Sequence, residues 1–544
     1  MGFEERLKFT SAGMLITSVG AVALATMMLC NGRLIYSLDD PYIGLSLGWH
    51  IGHGLYGLNE GEVASPSSSI LYPVLLASFA WTSLQEWVPA VVNTLAAAGT
   101  AALFAAIAFR DGIAARPEQF HRVLFLIVVF CVAINTVGLV FTGLEHSLHA
   151  MTSVAIVFGL ARVLEGEEMP AWLVPAIILA PLWRFEGLAL AGGASCALLL
   201  AGRRRAGATA LLMIVVTVGG FMVAMRMTGL PALPSSILMK LSLARSAETG
   251  SFHLLGFLRG VLENLYHYKQ SASVLALMVL IMLHPLLRAL DGARFRGPYR
   301  LTLWREFVFA GVLFGALFAH VLFGAWGWFS RYEAYAVAFG AAGAIIIWHG
   351  AIISLLGGRR PWMKTLIASA ALLVLNPYYV GNTLRTPFAA RSVYEQQYQM
   401  HRFAVEFYKR PVAVNDLGWV GYHNPNYVLD LWGLGSEAAR KARLITKEPG
   451  WMDRLVQAHQ IGVAMLYAQW FGDAIPPGWS RLGVLKGLHP SVAAAGDEVT
   501  FYSTSTEATP DALAALRRFA NAIGPAAHVE IFDPPISMGT QKSR

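Results

Sequence analysis

PSSSILYPVLLASFAWTS, residues 66–83, is the stretch on which the topology of this chain turns. It is apolar, yet shorter than the ~20 residues a helix needs to cross a bilayer, and Pro66 and Pro73 interrupt it. If it spans, the loop carrying Arg110, Arg116 and Arg122 falls outside, together with Arg203, Arg204 and Arg205. If it lies along or dips into the outer leaflet, every basic cluster becomes cytoplasmic. Only the second reading obeys the bias that keeps Lys and Arg loops inside. Residues 66–83 are therefore expected to form a juxtamembrane or re-entrant helix, with the N-terminus cytoplasmic.

The rest of the chain supports a polytopic α-helical membrane protein. Of 544 residues, 56% are hydrophobic and 14% are charged, against roughly 25% charged in soluble domains. Apolar runs at about 10–31, 88–109, 122–141, 147–164, 171–183, 187–202, 207–228, 272–290, 306–325, 333–351 and 364–379 predict about eleven transmembrane helices. The first follows a short basic leader (Arg6, Lys8) and reads as an uncleaved helix. The net charge of +8 comes from clusters between these runs, such as Arg294, Arg296, Arg300 and Arg305, or Arg359, Arg360 and Lys364. It calls for no nucleic acid. Cys30, Cys131 and Cys196 all lie in apolar runs and fit neither a disulfide framework nor metal spacing. Residues 1–380 form the expected membrane domain. Residues 381–544 have soluble composition and alternate helix-like stretches (391–408, 449–459, 510–522) with strand-like ones (411–415, 427–432, 461–467, 498–503, 527–532), the pattern of a C-terminal α/β extracytoplasmic domain.

This orientation places the deliberate-looking polar residues in the outer loops 32–87, 142–146, 184–186, 229–271, 326–332 and the segment after 380. Asp39 and Asp40 follow the first helix. Adjacent carboxylates at a membrane interface are costly unless paired, metal-bound or used, and their side chains diverge, so one can react while the other orients. A helix cap before Pro41 is the competing reading. His50 and His53 lie in a glycine-rich loop, with weak spacing for a metal. Glu145 and His146 open one helix; Arg184 and Glu186 join two, either as a site or as a mutually neutralising pair. Arg331 and Tyr332 precede another helix, where the arginine could simply snorkel. Lys240 could hold a phosphate as a point charge or be an ordinary interfacial lysine. Seven of these charges, Asp39, Asp40, Glu145, Arg184, Glu186, Lys240 and Arg331, come from five separate loops and fall on one face. Cations to hold a phosphate and a carboxylate to act as base suit a lipid-linked anionic substrate.

In this order, the motifs resemble those of the glycosyltransferase C superfamily, most closely the branch of mycobacterial terminal arabinofuranosyltransferases. The resemblance rests on Asp39-Asp40 with Tyr42, the run His53–Glu62, Ser65-Pro66, Gly143-Leu144-Glu145, Arg184-x-Glu186-Gly187, Leu233-Pro234-Ser235 with Lys240, and Arg331-Tyr332. Val412–Gly418 and Asp430–Leu434 continue it in the tail. It departs at Phe185, where proline is expected, at Ser235-Ser236, where Asn-Thr is expected, and at His146, where a small polar residue is usual.

The resemblance implies an inverting membrane glycosyltransferase of cell-envelope biogenesis, moving a sugar, arabinofuranose among the candidates, from a polyprenyl-phosphate donor. The acceptor would be a glycan or glycolipid on the outer face of a bacterial plasma membrane. Asp39 or Asp40 would be the base. Arg184, Lys240 and Arg331 would hold the leaving phosphate, and Glu145 and Glu186 would orient hydroxyls or those cations. Tyr42, His53, His146 and Tyr332 complete the expected substrate-binding set. No metal ligand set is assigned, a divalent cation remaining a candidate cofactor. A transporter or flippase of lipid-linked sugar is the competing class; such proteins commonly carry internal repeats and midplane sites, which this sequence does not display.

Overall fold

The computed structural model describes residues 2–240, 254–290 and 302–538. Seven described helices are long and apolar enough to cross a membrane: Phe3–Leu29, Gln85–Arg110, His146–Glu165, Arg204–Met227, Ser271–Leu290, Leu303–Phe323 and Ala334–Leu356. The protein is thus a multi-pass membrane protein. The other four expected spans are helical but not as single straight spans. Leu173–Trp183 and Gly187–Leu200 are shorter apolar helices, about 16 and 21 Å long at 1.5 Å per residue. Phe120–Ala133 breaks at Asn135, whose φ is 59°, before resuming as Thr136–Val140. Pro361–Leu375 bends by 76° into the chain from Pro377, because proline lacks an N–H and drives Asn376 out of the helical region. Among the described residues, seven helices, or eight with the bent pair, are long and apolar enough to span, so the expected count of about eleven is not confirmed.

Residues 66–83 contain only the six-residue helix Tyr72–Ala77, about 9 Å long. No helix there can cross a bilayer. Exposed Phe79, Trp81, Leu84 and Trp87 follow it, the aromatic-rich surface typical of a membrane interface. The Arg294, Arg296 and Arg300 cluster and residues 241–253 of the 229–271 loop lie outside the described residues.

The tail forms a six-stranded sheet: β1 (Val412–Val414), β2 (Val428–Asp430), β3 (Val463–Leu466), β4 (Ser480–Gly487), β5 (Glu498–Ser503) and β6 (Ala527–Ser537). Its order is β2-β1-β3-β5-β4-β6. β1 pairs in parallel with β2 and β3, and the remaining neighbours are antiparallel. Alternation along the parallel strands feeds two cores. Val412, Val414, Val463 and Met465 pack with Phe403, Phe501 and Phe519 on one side; Ala413, Leu429, Ala464 and Leu466 pack with Trp451, Met452 and Trp479 on the other. Burial on both faces explains their unbroken apolar composition. β4 carries no such run, since Gly483, Lys486 and Gly487 interrupt it, and only its place between β5 and β6 makes it a strand. Residue 381 falls inside the helix Pro377–Glu395, so the membrane helices continue into the tail without a loop.

The segment after the first helix is tied to the sheet. Asn59 behaves like an added strand residue, its Nδ2 donating to the Val428 carbonyl at 3.0 Å while Val428 N–H donates back to its Oδ1 at 2.9 Å. Tyr427 Oη donates to Glu62 at 2.6 Å, and the Tyr42 ring stacks on Trp419 at 4.0 Å.

Candidate active site

These ties close a cavity of about 550 Å³ between the helical region and the sheet, with Asp39 and Asp40 in its lining. The two aspartates face different partners. Asp39 precedes the helix Asp40–Gly52 but does not cap it with its side chain. Its Oδ2 accepts the Gly418 N–H at 2.7 Å and its Oδ1 accepts the Trp419 N–H at 2.9 Å. The approach demands glycine at 418, where a Cβ would lie 2.1 Å from the Asp39 carbonyl oxygen. Burial and the neighbouring Asp416 carboxylate push the Asp39 carboxyl well above the usual range, against the pull of the two N–H groups. Asp40 instead forms an ion pair with Arg331. Burial works to raise its carboxyl, but Arg331 and Lys240 outweigh it and hold it below the usual range.

One wall of the cavity is cationic. Gly327, Trp328, Phe329 and Ser330 all have positive φ, and three of them are not glycine, a strained run that needs external support. Asn135 donates to the Phe329 carbonyl at 3.2 Å, Asn382 to Ser330 Oγ at 2.9 Å, and the Gly327 N–H to Glu333 at 3.0 Å. The run delivers Arg331 and Tyr332 to the cavity. Arg331 donates from Nη2 to the Tyr332 oxygen at 2.8 Å, whereas its buried Nε and Nη1 have no partner among the described residues. Lys240 Nζ stands 4.8 Å from the Tyr332 ring centre, on a short helix Ser235–Lys240 held by Ser235 N–H to the Ser65 carbonyl and Ser68 to Ser236, both at 2.9 Å.

Beside it sits a second charge set, in which the buried Arg184 Nε has no partner among the described residues. Arg184 Nη1 donates to Glu145 and Nη2 to Glu186, both at 2.7 Å, and His146 Nε2 lies 3.4 Å from Nη1. Gly143 permits this crowding: at φ +65° a Cβ would meet Pro41 at 2.7 Å and Tyr36 at 2.8 Å.

The opposite wall comes from the tail. Asn415 and Asp416 follow β1, Trp432 follows β2 and Trp470 follows β3, and all four line the cavity. Ligands of open α/β sheets bind outside the carboxyl ends of parallel strands, and these are three such ends. Asp416 accepts from Gln397 Nε2 at 2.9 Å, yet burial pushes its carboxyl up to about 6. Asp430, at the end of β2, accepts the N–H groups of Trp432, Leu434 and Gly435 at 2.8, 2.6 and 2.7 Å and so shapes the loop bearing Trp432.

Of the residues expected from sequence, Asp39, Asp40, Glu145, His146, Arg184, Lys240, Arg331 and Tyr332 line one cavity. Three do not. His53 is stacked between Trp49 and Trp81, at 4.0 Å from each ring, so its glycine-rich surroundings serve a turn rather than a ligand. Tyr42 is buried against Trp419, its oxygen accepting the Tyr36 N–H at 3.1 Å. Glu186 acts through Arg184. Asn415, Asp416, Trp432 and Trp470 were absent from the expected set; the first three fall inside the tail motifs Val412–Gly418 and Asp430–Leu434, to which no role was assigned, and Trp470 is signalled only by following an apolar strand. Among the described residues, no group of three or more His, Cys, Asp or Glu side chains converges as a metal site, and Asp39 and Asp40 are already engaged. The candidate divalent cation therefore finds no ligand set among them.

A domain of unknown function (DUF8728) matches residues 387–502. Comparison with curated proteins gave no match. Among the solved structures that overlap with the chain are three at a TM-score of 0.40. They are the Archaeoglobus fulgidus oligosaccharyltransferase in the apo form (10% identity, covering 93% of this chain and 78% of that one), the oligosaccharyltransferase complex with Zn and sulfate from the same organism (12%, 90% and 73%), and the archaeal oligosaccharyltransferase AglB in complex with an inhibitory peptide and a dolichol-phosphate (10%, 91% and 74%). At that score no residue role carries over.

Proposed function

We propose that this protein is an inverting membrane glycosyltransferase that moves a sugar from a polyprenyl-phosphate donor to a glycan or glycolipid acceptor. The observation that carries the reading is the pairing, across one cavity, of a fixed carboxylate with a cationic wall whose Arg331 keeps two buried N–H-bearing nitrogens without partners among the described residues. Unpaired buried donors are costly, and an anionic oxygen is the ligand that would satisfy them.

Asp39 is the base. A carboxylate has about four lone-pair sites, so the N–H groups of Gly418 and Trp419 fix it and still leave room for an acceptor hydroxyl. Its raised affinity for protons suits that work. The acceptor oxygen attacks the donor's anomeric carbon as the carbon–oxygen bond to phosphate breaks. Asp39 takes the hydroxyl proton, and the departing electron pair stays on the phosphate oxygen, where Arg331 and Lys240 meet its charge. One displacement inverts the anomeric centre. Asp40 orients Arg331, while Glu145, His146, Arg184 and Glu186 form the rigid floor beside them.

The loop-charge pattern supports a placement of the cavity and residues 381–544 on the outer side of the membrane; a bacterial plasma membrane rests on the motif resemblance. Arabinofuranose as the donor sugar rests on the motif resemblance alone. The test uses protein in lipid nanodiscs with a synthetic polyprenyl-phosphate arabinofuranose and an oligosaccharide acceptor mixture. Transfer is expected, and Asp39→Asn should lower it by about 10²–10⁴-fold in protein that remains folded, with some loss of melting temperature because an amide nitrogen cannot accept from Gly418 or Trp419. Full transfer by that variant would overturn the mechanism. Translocation of labelled lipid-sugar in liposomes with no transfer would favour a flippase.

A further inference from the structure

The wall facing the cations places Asp416 beside the base, but its other side chains have no part in that chemistry and are nonetheless built as a site. Three successive parallel strands end at it, and each contributes a side chain to the lining: Asn415, Trp432 and Trp470. The Trp432 and Trp470 ring centres are 4.5 Å apart with their planes 47° apart, so the two form an open corner rather than a closed stack. The Arg443 guanidinium lies against the Trp432 ring at 3.6 Å from its centre, stiffening that side. Both tryptophans remain partly accessible, although two large rings at the edge of a core would ordinarily be buried for their apolar area.

Asn415 adds an independent observation. It is 5% exposed, its Oδ1 accepts the Tyr467 N–H at 2.7 Å, and its Nδ2 has no partner among the described residues. A buried amide donor left open in a cavity lining is an unmet hydrogen bond. Apolar rings beside a single fixed donor match the surface of a sugar ring, whose C–H face packs on an indole while its hydroxyls accept hydrogen bonds.

We infer that Trp432, Trp470 and Asn415 form the acceptor subsite, which takes a sugar ring of an oligosaccharide beside the hydroxyl that Asp39 deprotonates. The inference rests on the transferase reading for its role in catalysis, but glycan binding at these residues stands apart from it. The cavity, at about 550 Å³, falls within the size of sites that enclose drug-sized ligands, which leaves space for a lipid phosphate at one wall and a sugar at the other.

Full-length protein in nanodiscs, applied without donor to a printed oligosaccharide array, tests this. The wild type should be retained on a defined class of glycans. Trp470→Ala should lower retention at least tenfold, and Trp470→Phe should recover much of it. Asn415→Asp, which keeps the oxygen facing Tyr467 and removes the donor, should also weaken it. Unchanged retention by correctly folded Trp470→Ala and Asn415→Asp, or no retention of the wild type on any glycan, would overturn the subsite. Glycan retention through these residues by a protein that transfers no sugar would sink the transferase reading and leave the subsite standing. Transfer that depends on Asp39 but is indifferent to Trp470 in acceptor KM would do the reverse.

Discussion

The two walls of the cavity are made in opposite ways. The cationic wall is assembled from short connections between helices, with a strained left-handed run at 327–330 and a buried arginine that uses one of its three nitrogens among the described residues. The tail wall is the ordered end of a sheet whose loop backbone is satisfied, as where Asp430 accepts three N–H groups. Strain and unmet charge suit a site that must change its electrostatic partners during a reaction. A satisfied framework suits one that must recognise a shape.

Breaking the cationic wall should have the larger consequence. Arg331→Gln removes the fork and leaves Asp40 without its partner, so transfer should fall by about 10²–10³-fold in a steady-state assay. Arg331→Lys should recover little, since an ammonium cannot replace the planar donor array.

The tail wall should instead fail through stability. Asp430→Ala strands three backbone donors and should cost about 2–4 kcal/mol, read as a lower melting temperature, with acceptor KM rising before kcat falls. Equal losses in both, with no change in melting, would contradict the division between the walls.

The finest probe is pH. Removing the negative charge of Asp416 in Asp416→Asn should ease ionisation of Asp39, so the acid limb of kcat/KM should move to lower pH. Stability gives a second readout. The Asp416 carboxyl rises from about 4 when unfolded to about 6 in the fold. Its contribution is therefore full below pH 4 and lost as pH rises through about 6. Asp416→Asn should flatten that part of the stability profile. An unmoved acid limb would show that Asp416 does not act on the base.

Much of the cationic wall was legible because its residues are charges at helix ends, and a charge near lipid is rare enough to stand out. The tail wall was marked only by the motifs that hold Asn415, Asp416 and Trp432, with no role for them. Tryptophan and asparagine in a soluble-looking stretch carry no such contrast, and nothing local says that positions 415, 432 and 470 lie together. His53 shows the converse: glycines and a histidine looked like a ligand loop, but two tryptophans had already taken the ring. The break at Asn135 was equally hidden inside an apolar run, since its side chain is claimed by Thr383 and Phe329 far along the chain.

By itself, the sequence determined that the chain enters a membrane, that 66–83 is too broken to cross it, and which charges are expensive enough to require a purpose. Those properties follow from local composition and from proline's missing donor. Only the tertiary structure divided Asp39 from Asp40, because adjacent side chains diverge and their partners, Gly418 and Arg331, lie far away in sequence. It alone also joined three strand ends into a second wall, since parallel pairing is a long-range choice that no single segment encodes.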